Sequence, residues 1–193
     1  MKYPVPRFPQ TIYNKIWAIT FISRISILFF QHRYQTAEEL CRKGINIAPR
    51  NPVYHEWLGK ILWKESKLEE AIQEYRVAIG LQKATLLADR MDLINLLIEA
   101  KHYEEALAES HKLLDPHIHK ISVFFRSVHE YAAYNGMYKS YIGLQDFGHA
   151  KEALIQLLPF YKGKNRQDIF QKISTCEEYL RRAKNSQESA PET

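Results

Sequence analysis

Cysteine is nearly absent: Cys41 and Cys176 are the only two, far apart, and neither stands in a C-x-x-C pair. That excludes a disulfide framework and a cysteine-based zinc motif. It favours a reducing, cytoplasmic setting in which both thiols serve as small buried apolar groups. Glycine (7) and proline (8) are scarce. No glycine-rich phosphate loop, nucleophile elbow or paired-carboxylate motif occurs, so catalysis is not expected and no cofactor is implied. Acidic residues are missing from the first 37 positions, which carry Lys2, Arg7, Lys15, Arg24 and Arg33. From residue 38 onward 22 basic residues (27 less these five) face 22 acidic ones, so the net charge of +5 belongs to the N-terminal stretch. The remainder lacks the basic bias of a nucleic-acid-binding surface.

What is present is helix-forming sequence. Residues 1–10, with three prolines, read as an extended leader. Residues 11–31, TIYNKIWAITFISRISILFFQ, are apolar nearly all round a helical wheel, the signature of a helix deeply buried or in contact with lipid. As a membrane span the run is marginal. About ten Ile, Leu and Phe contribute on the order of −5 kcal/mol, and Arg24 near the middle costs roughly 2.5–3.5 kcal/mol before Lys15 and Asn14 are counted. Packing against the following hairpin is the first reading. Peripheral membrane association is the alternative, with Lys15, Trp17, Phe21, Arg24, Phe29 and Phe30 as contact residues.

The rest divides into helical hairpins. Residues 34–51 form the partner of the apolar helix, with Thr36 as its cap and Pro49 as its stop. In 52–84, His55, Leu58, Gly59 and Leu62 share one face of a first helix. Leu68, Ala71, Ile72, Tyr75, Ala78 and Ile79 line the second, and the small residues let the two backbones approach. Residues 85–118 repeat the pattern, and 119–162 do so with a longer, aromatic-rich first helix at about 121–144. A final helix over about 166–183 keeps Ile169, Ile173, Cys176 and Leu180 on one stripe, as a terminal cap would. Within the segment 163–193 that completes the chain, residues 185–193 read as a disordered tail.

In register, Ala37, Ala71, Ala106 and Ala150 recur at intervals of 34, 35 and 44 residues. The central unit carries His55-x-x-Leu58-Gly59-x-x-Leu62, then Ala71-x-x-x-Tyr75 and Ala78. Over about 18–158 the chain resembles the tetratricopeptide repeat family, whose period is about 34 residues. Upstream, Ala37, Cys41, Gly44 and Pro49 fill the second half of the motif. Downstream, Leu93, Leu97, Tyr103 and Ala106 match, but Ile94 replaces the glycine and Ser110 the aromatic. The resemblance implies an all-α, right-handed α-solenoid of antiparallel hairpins, with about four repeats over 11–162 and a capping helix.

It also implies a groove, lined by the first helices, that holds a peptide or a partner helix. Its stripe is Val53, Glu56, Lys60 and Trp63, then Ala88, Met91, Asn95 and Ile98, then Ala132, Asn135, Lys139 and Ile142. A protein or peptide partner is therefore expected, and an adaptor or scaffold role. Family members that clamp chaperone tails need Lys and Asn at fixed positions. Those positions hold Ile22, Ser26, Trp57, Ala88 and Asp92 here, so that mode is not expected. Eight histidines include His111, His117 and His119 beside Asp115, but no helical spacing enforces a metal site there.

Overall fold

The same three-residue link closes four helical hairpins, and it is made without glycine. The computed structural model describes residues 10–82, 87–115 and 123–188, with side chains over 19–82, 87–115 and 126–186. The paired helices are α1 (Gln10–Phe30) with α2 (Tyr34–Ile47), α3 (Pro52–Lys64) with α4 (Leu68–Leu81), α5 (Leu87–Glu99) with α6 (Tyr103–Lys112), and α7 (Val123–Gly143) with α8 (Phe147–Leu157). A short 3-10 turn, Leu158–Phe160, leads to α9 (Gly163–Glu188).

In each link the middle residue, His32, Ser66, Lys101 or Gln145, adopts a left-handed φ near 60°. The next residue then donates its N–H back to the helix: Arg33 to Leu28 O, Lys67 to Leu62 O, His102 to Leu97 O, Asp146 to Tyr141 O, all at 2.8–2.9 Å. This cap satisfies carbonyls that a helix end leaves orphaned. It also sets where the second helix begins. The alanines Ala37, Ala71, Ala106 and Ala150 each donate the first helical bond, to Arg33, Lys67, His102 and Asp146 in turn, and all four are fully buried. Thr36, expected as the cap of α2, lies inside that helix instead; Arg33 holds the cap position and makes no side-chain cap bond. The preceding turn, not a capping side chain, fixes the start. A non-glycine residue at the left-handed position is strained. Lys101→Gly is expected to stabilise the chain by about 0.5–1 kcal/mol, read as a higher urea midpoint.

The chain forms two compact units, Met1–Lys83 and Ala84–Thr193. The division falls in the connection between α4 and α5.

In the first unit, Leu58, Ile61 and Leu62 of α3 and Ala71, Ile72 and Tyr75 of α4 are buried together with Tyr54. Gly59 makes the close approach possible: a Cβ there would lie 2.9 Å from the Tyr75 ring. The apolar α1 packs by one edge. Ile25 and Leu28 are buried, Phe21 meets Tyr54 edge-on at 6.3 Å, and Phe29 meets Tyr34 and Trp57 at 5.6 Å. Its other side leaves Ile19, Ile27 and Phe30 more than half exposed. Among the described residues no helix is long and apolar enough to cross a membrane.

In the second unit the third repeat departs from the motif, and its departures compensate. Where the central repeat opposes a glycine to a tyrosine, this one has Ile94 and Ser110, large and small exchanged. Both border Gly136 of α7: a Cβ there would lie 2.4 Å from Ser110 Oγ and 2.9 Å from Ile94 Cγ2. Ser110 Oγ in turn donates to Ala106 O at 2.7 Å. Further along, Ala150, Leu154, Leu157, Ile169 and Cys176 form a core that joins α8 to α9. Helix α9 runs past the expected end at residue 183 and includes 185–188, which the sequence assigns to a disordered tail. Leu180, expected on its buried stripe, is 40% exposed; Tyr179 stacks instead on Phe147 at 4.4 Å.

The start of α8 is the one hairpin helix whose cap side chain bonds among those with a described N-cap in this unit. Asp146 accepts from the His149 N–H at 3.1 Å and from its Nδ1 at 2.6 Å. Burial pushes the Asp146 carboxyl up, but these bonds and the imidazole charge outweigh it and hold it below its ordinary value. The carboxylate partner raises His149. The Asp146 contribution is therefore present above the unfolded carboxylate pKa of about 4 and lost as pH falls through the lowered folded value. The His149 contribution is present below the unfolded imidazole pKa of about 6.5 and lost as pH rises through the raised folded value. Asp146→Ala is expected to cost about 1 kcal/mol at pH ~5.5. In unfolding midpoints measured against pH, that difference should shrink towards strong acid and again above neutrality.

Candidate functional site

The expected binding stripe is distributed over both units, and each part has its own chemistry. In the first unit, Asn51 caps α3, accepting from the Val53 N–H at 3.2 Å, and Pro52 opens the helix. This sets the rotation that presents Val53, Glu56, Lys60 and Trp63, all of them half-buried. Lys60 already has partners on its own helix. Its ammonium pairs with Glu56 one turn earlier and lies 5.3 Å from the centre of the Trp57 ring. The reason is local: Glu and Lys at i and i+4 on a helix face each other.

In the second unit, α5 and α7 pack side by side and bring Asn95 and Lys139 together. Lys139 Nζ donates to Asn95 Oδ1 at 3.3 Å. Met91 and Ile98 flank this pair, but both also pack against a core of Ile94, Leu113, Ala132 and Ala133. Asn135 is half-buried. Ala132, assigned to the stripe from the sequence, is only 5% exposed and belongs to that core. Ala88 is exposed and Ile142 half-buried.

Of the residues assigned to membrane contact, Phe21 and Phe29 turn towards protein through the ring contacts above, whereas Arg24 and Phe30 are exposed. The side chains of Lys15 and Trp17 lie outside the described residues. Of the candidate metal ligands, His111 is exposed on α6, and His117 and His119 lie outside the described residues. Among those described, no three His, Cys, Asp or Glu side chains gather. Both cysteines are free and buried. Burial, with the charges of Glu38 and Glu74 adding to it, pushes the Cys41 thiol up to about 12. That keeps it protonated and poorly nucleophilic.

A feature absent from the sequence reading lies between α7, α8 and α9. An open cavity of about 560 Å³ is walled by the stacked Phe147 and Tyr179 rings and by Ile142, with Cys176 in its lining. Lys172 stands at it with its ammonium 5.4 Å from the centre of the Tyr138 ring. The available signal was the row of tyrosines on α7: Tyr131, Tyr134, Tyr138 and Tyr141 share one helical stripe that packs against the α8–α9 core, and of these Tyr138 also lines the cavity.

No protein-family model matches the chain, and no curated protein matches it. Solved structures do. A tetratricopeptide repeat protein from Parabacteroides merdae has a TM-score of 0.63 at 12% identity, over 91% of this chain and 66% of its own. PilF of Pseudomonas aeruginosa gives 0.62 at 16% identity, over 86% of this chain and 69% of its own. YrrB, described as a TPR protein with an unusual peptide-binding site, gives 0.53 at 12% identity, over 86% and 92%. Likeness at such identity is a likeness of backbone. The fold of this chain is tetratricopeptide-like.

Proposed function

We propose that the chain is a non-catalytic adaptor that holds a partner peptide or helix on the first-helix faces of its repeats and so organises a protein complex. The observation that carries this reading is the pairing of Asn95 with Lys139. It sets an amide and an ammonium between the half-buried Met91 and Ile98 on neighbouring first helices. Such a surface offers an apolar anchor beside donors for a peptide backbone or carboxylate. The peptide-binding site named for YrrB supports the same class of partner. The test is partner recovery by the folded wild type and by a Lys60→Ala/Trp63→Ala/Asn95→Ala variant. The variant should lose the partners that the wild type retains; equal recovery overturns the reading.

A second reading has its own observation. Ile19, Ile27 and Phe30 project from α1 beside the exposed Arg24, in a stretch with no acidic residue. In this reading the chain is an assembly or biogenesis factor attached to a membrane surface through that basic, apolar helix. Ile19→Ser/Ile27→Ser/Phe30→Ser should then abolish sedimentation with anionic vesicles while leaving the melting temperature in place. Unchanged sedimentation, or none by the wild type, removes it.

A further inference from the structure

We propose that the cavity between α7, α8 and α9 is a docking pocket for a peptide segment that presents a large apolar side chain next to a carboxylate. It rests on the reading that the partner is a protein, but on residues separate from the Asn95–Lys139 face.

The cavity is of the size that holds a bulky side chain, and its walls suit one. Phe147 and Tyr179 stack with their planes 8° apart, so each covers one face of the other and the pair forms one aromatic wall of the cavity, which Ile142 also lines. The wall is held rigidly. Phe147 opens α8 immediately after the left-handed link at Gln145, and α9 is anchored on the α8 core through Ile169 and Cys176. A preformed aromatic wall costs little ordering when a ligand arrives.

Its electrostatics are one-sided. Among the described residues Lys172 is the only charged side chain lining the cavity. It forms no ion pair among the described residues, and its ammonium lies over the Tyr138 ring. The acids around it on α9 are either engaged or apart. Glu177 pairs with Lys151 and Glu178 with Arg182, while Asp168, one turn earlier, makes no ion pair with Lys172. Tyr138 makes no hydrogen bond through its hydroxyl among the described residues. Burial raises its pKa and keeps that O–H a donor. Gln145 adds an exposed amide at the rim. An ammonium, a phenol and an amide beside an apolar wall complement an anion attached to an apolar group. The carboxylate therefore belongs next to the side chain that fills the cavity, on an acidic residue following it or at a chain terminus.

The experiment uses the full chain and an array of octapeptides carrying Phe, Leu or Trp followed by Asp, Glu, Asn, Gln or Lys, with a matching set ending in a free carboxylate. Peptides with a carboxylate after the apolar residue should bind the wild type, and the matched amides at least tenfold less. Lys172→Glu should weaken the carboxylate peptides at least tenfold, and Lys172→Gln by an intermediate factor. Lys164→Glu, an exposed lysine of α9 outside the cavity, serves as the control and should change nothing. Binding should also weaken as salt rises. The pocket assignment is overturned if no array peptide binds, if amides bind as well as carboxylates, or if Lys172→Glu leaves binding intact in a chain that melts as the wild type does. The Lys60/Trp63/Asn95 variant separates the two readings. Binding lost there and kept in Lys172→Glu leaves the first-helix faces as the site and removes the pocket. The converse result keeps the pocket and removes the faces.

Discussion

Replacing Tyr75 by alanine is expected to destabilise the Met1–Lys83 unit by about 3–5 kcal/mol, the range for deleting a large buried aromatic ring. Tyr75 is fully buried on α4, and its ring occupies the space that Gly59 leaves open on α3. Neither helix can close that space without moving the other, so the cavity term adds to the lost burial. Tryptophan fluorescence is the appropriate probe, because Trp17, Trp57 and Trp63 all lie in this unit. The fluorescence-detected urea midpoint should fall sharply in Tyr75→Ala. Tyr75→Phe keeps the ring and should lose no more than about 1.5 kcal/mol, the scale of one hydrogen bond. An alanine variant that unfolds with the wild-type midpoint would mean that Gly59 and Tyr75 do not interlock.

The second large effect reverses the usual sign of a glycine substitution. In a helix interior Gly→Ala ordinarily gains up to about 1 kcal/mol. Gly136→Ala is expected instead to lose about 1–3 kcal/mol, because the new methyl enters the space held by Ser110 Oγ and Ile94 Cγ2. The unit that contains it has no tryptophan, so the loss should appear in far-UV circular dichroism while the fluorescence transition stays in place. Gly80→Ala is the internal comparison: it lies in helix α4 with nothing within 4 Å of its added Cβ, and should gain stability. In a background that carries Ile94→Ala and Ser110→Ala, itself less stable than the wild type, the added cost of Gly136→Ala should be smaller than it is in the wild type. Strict additivity of the three changes would show that the residues do not share one space.

These two sites differ in how far they could be read in advance. Gly59 facing Tyr75 follows the small-opposite-large spacing of the central repeat, which is a local pattern across one hairpin. Ile94 and Ser110 could be seen only as departures from that spacing. Their compensation depends on Gly136, which enters from the next hairpin, and nothing in the spacing of 85–118 points to it. The same limit applies to α9. A stripe of Ile169, Ile173, Cys176 and Leu180 and one that passes through Lys172 and Tyr179 are nearly equivalent at 3.6 residues per turn. The stacking of Tyr179 on Phe147 chose between them. The pairing of Lys60 with Glu56 is the opposite case: a one-turn relation within α3 that the i, i+4 spacing carries by itself.

Taken alone, the sequence determined the number and pairing of the helices and the register of the four alanines. Those features rest on periodicity and on tight three-residue links, which act within about 35 residues of chain. Tertiary structure alone decided which side of α1 is covered, where the chain divides into two units, and that Lys172 stands over the Tyr138 ring at a cavity with an aromatic wall. Each of these depends on what a neighbouring hairpin places against a side chain, and helical periodicity carries no record of that neighbour.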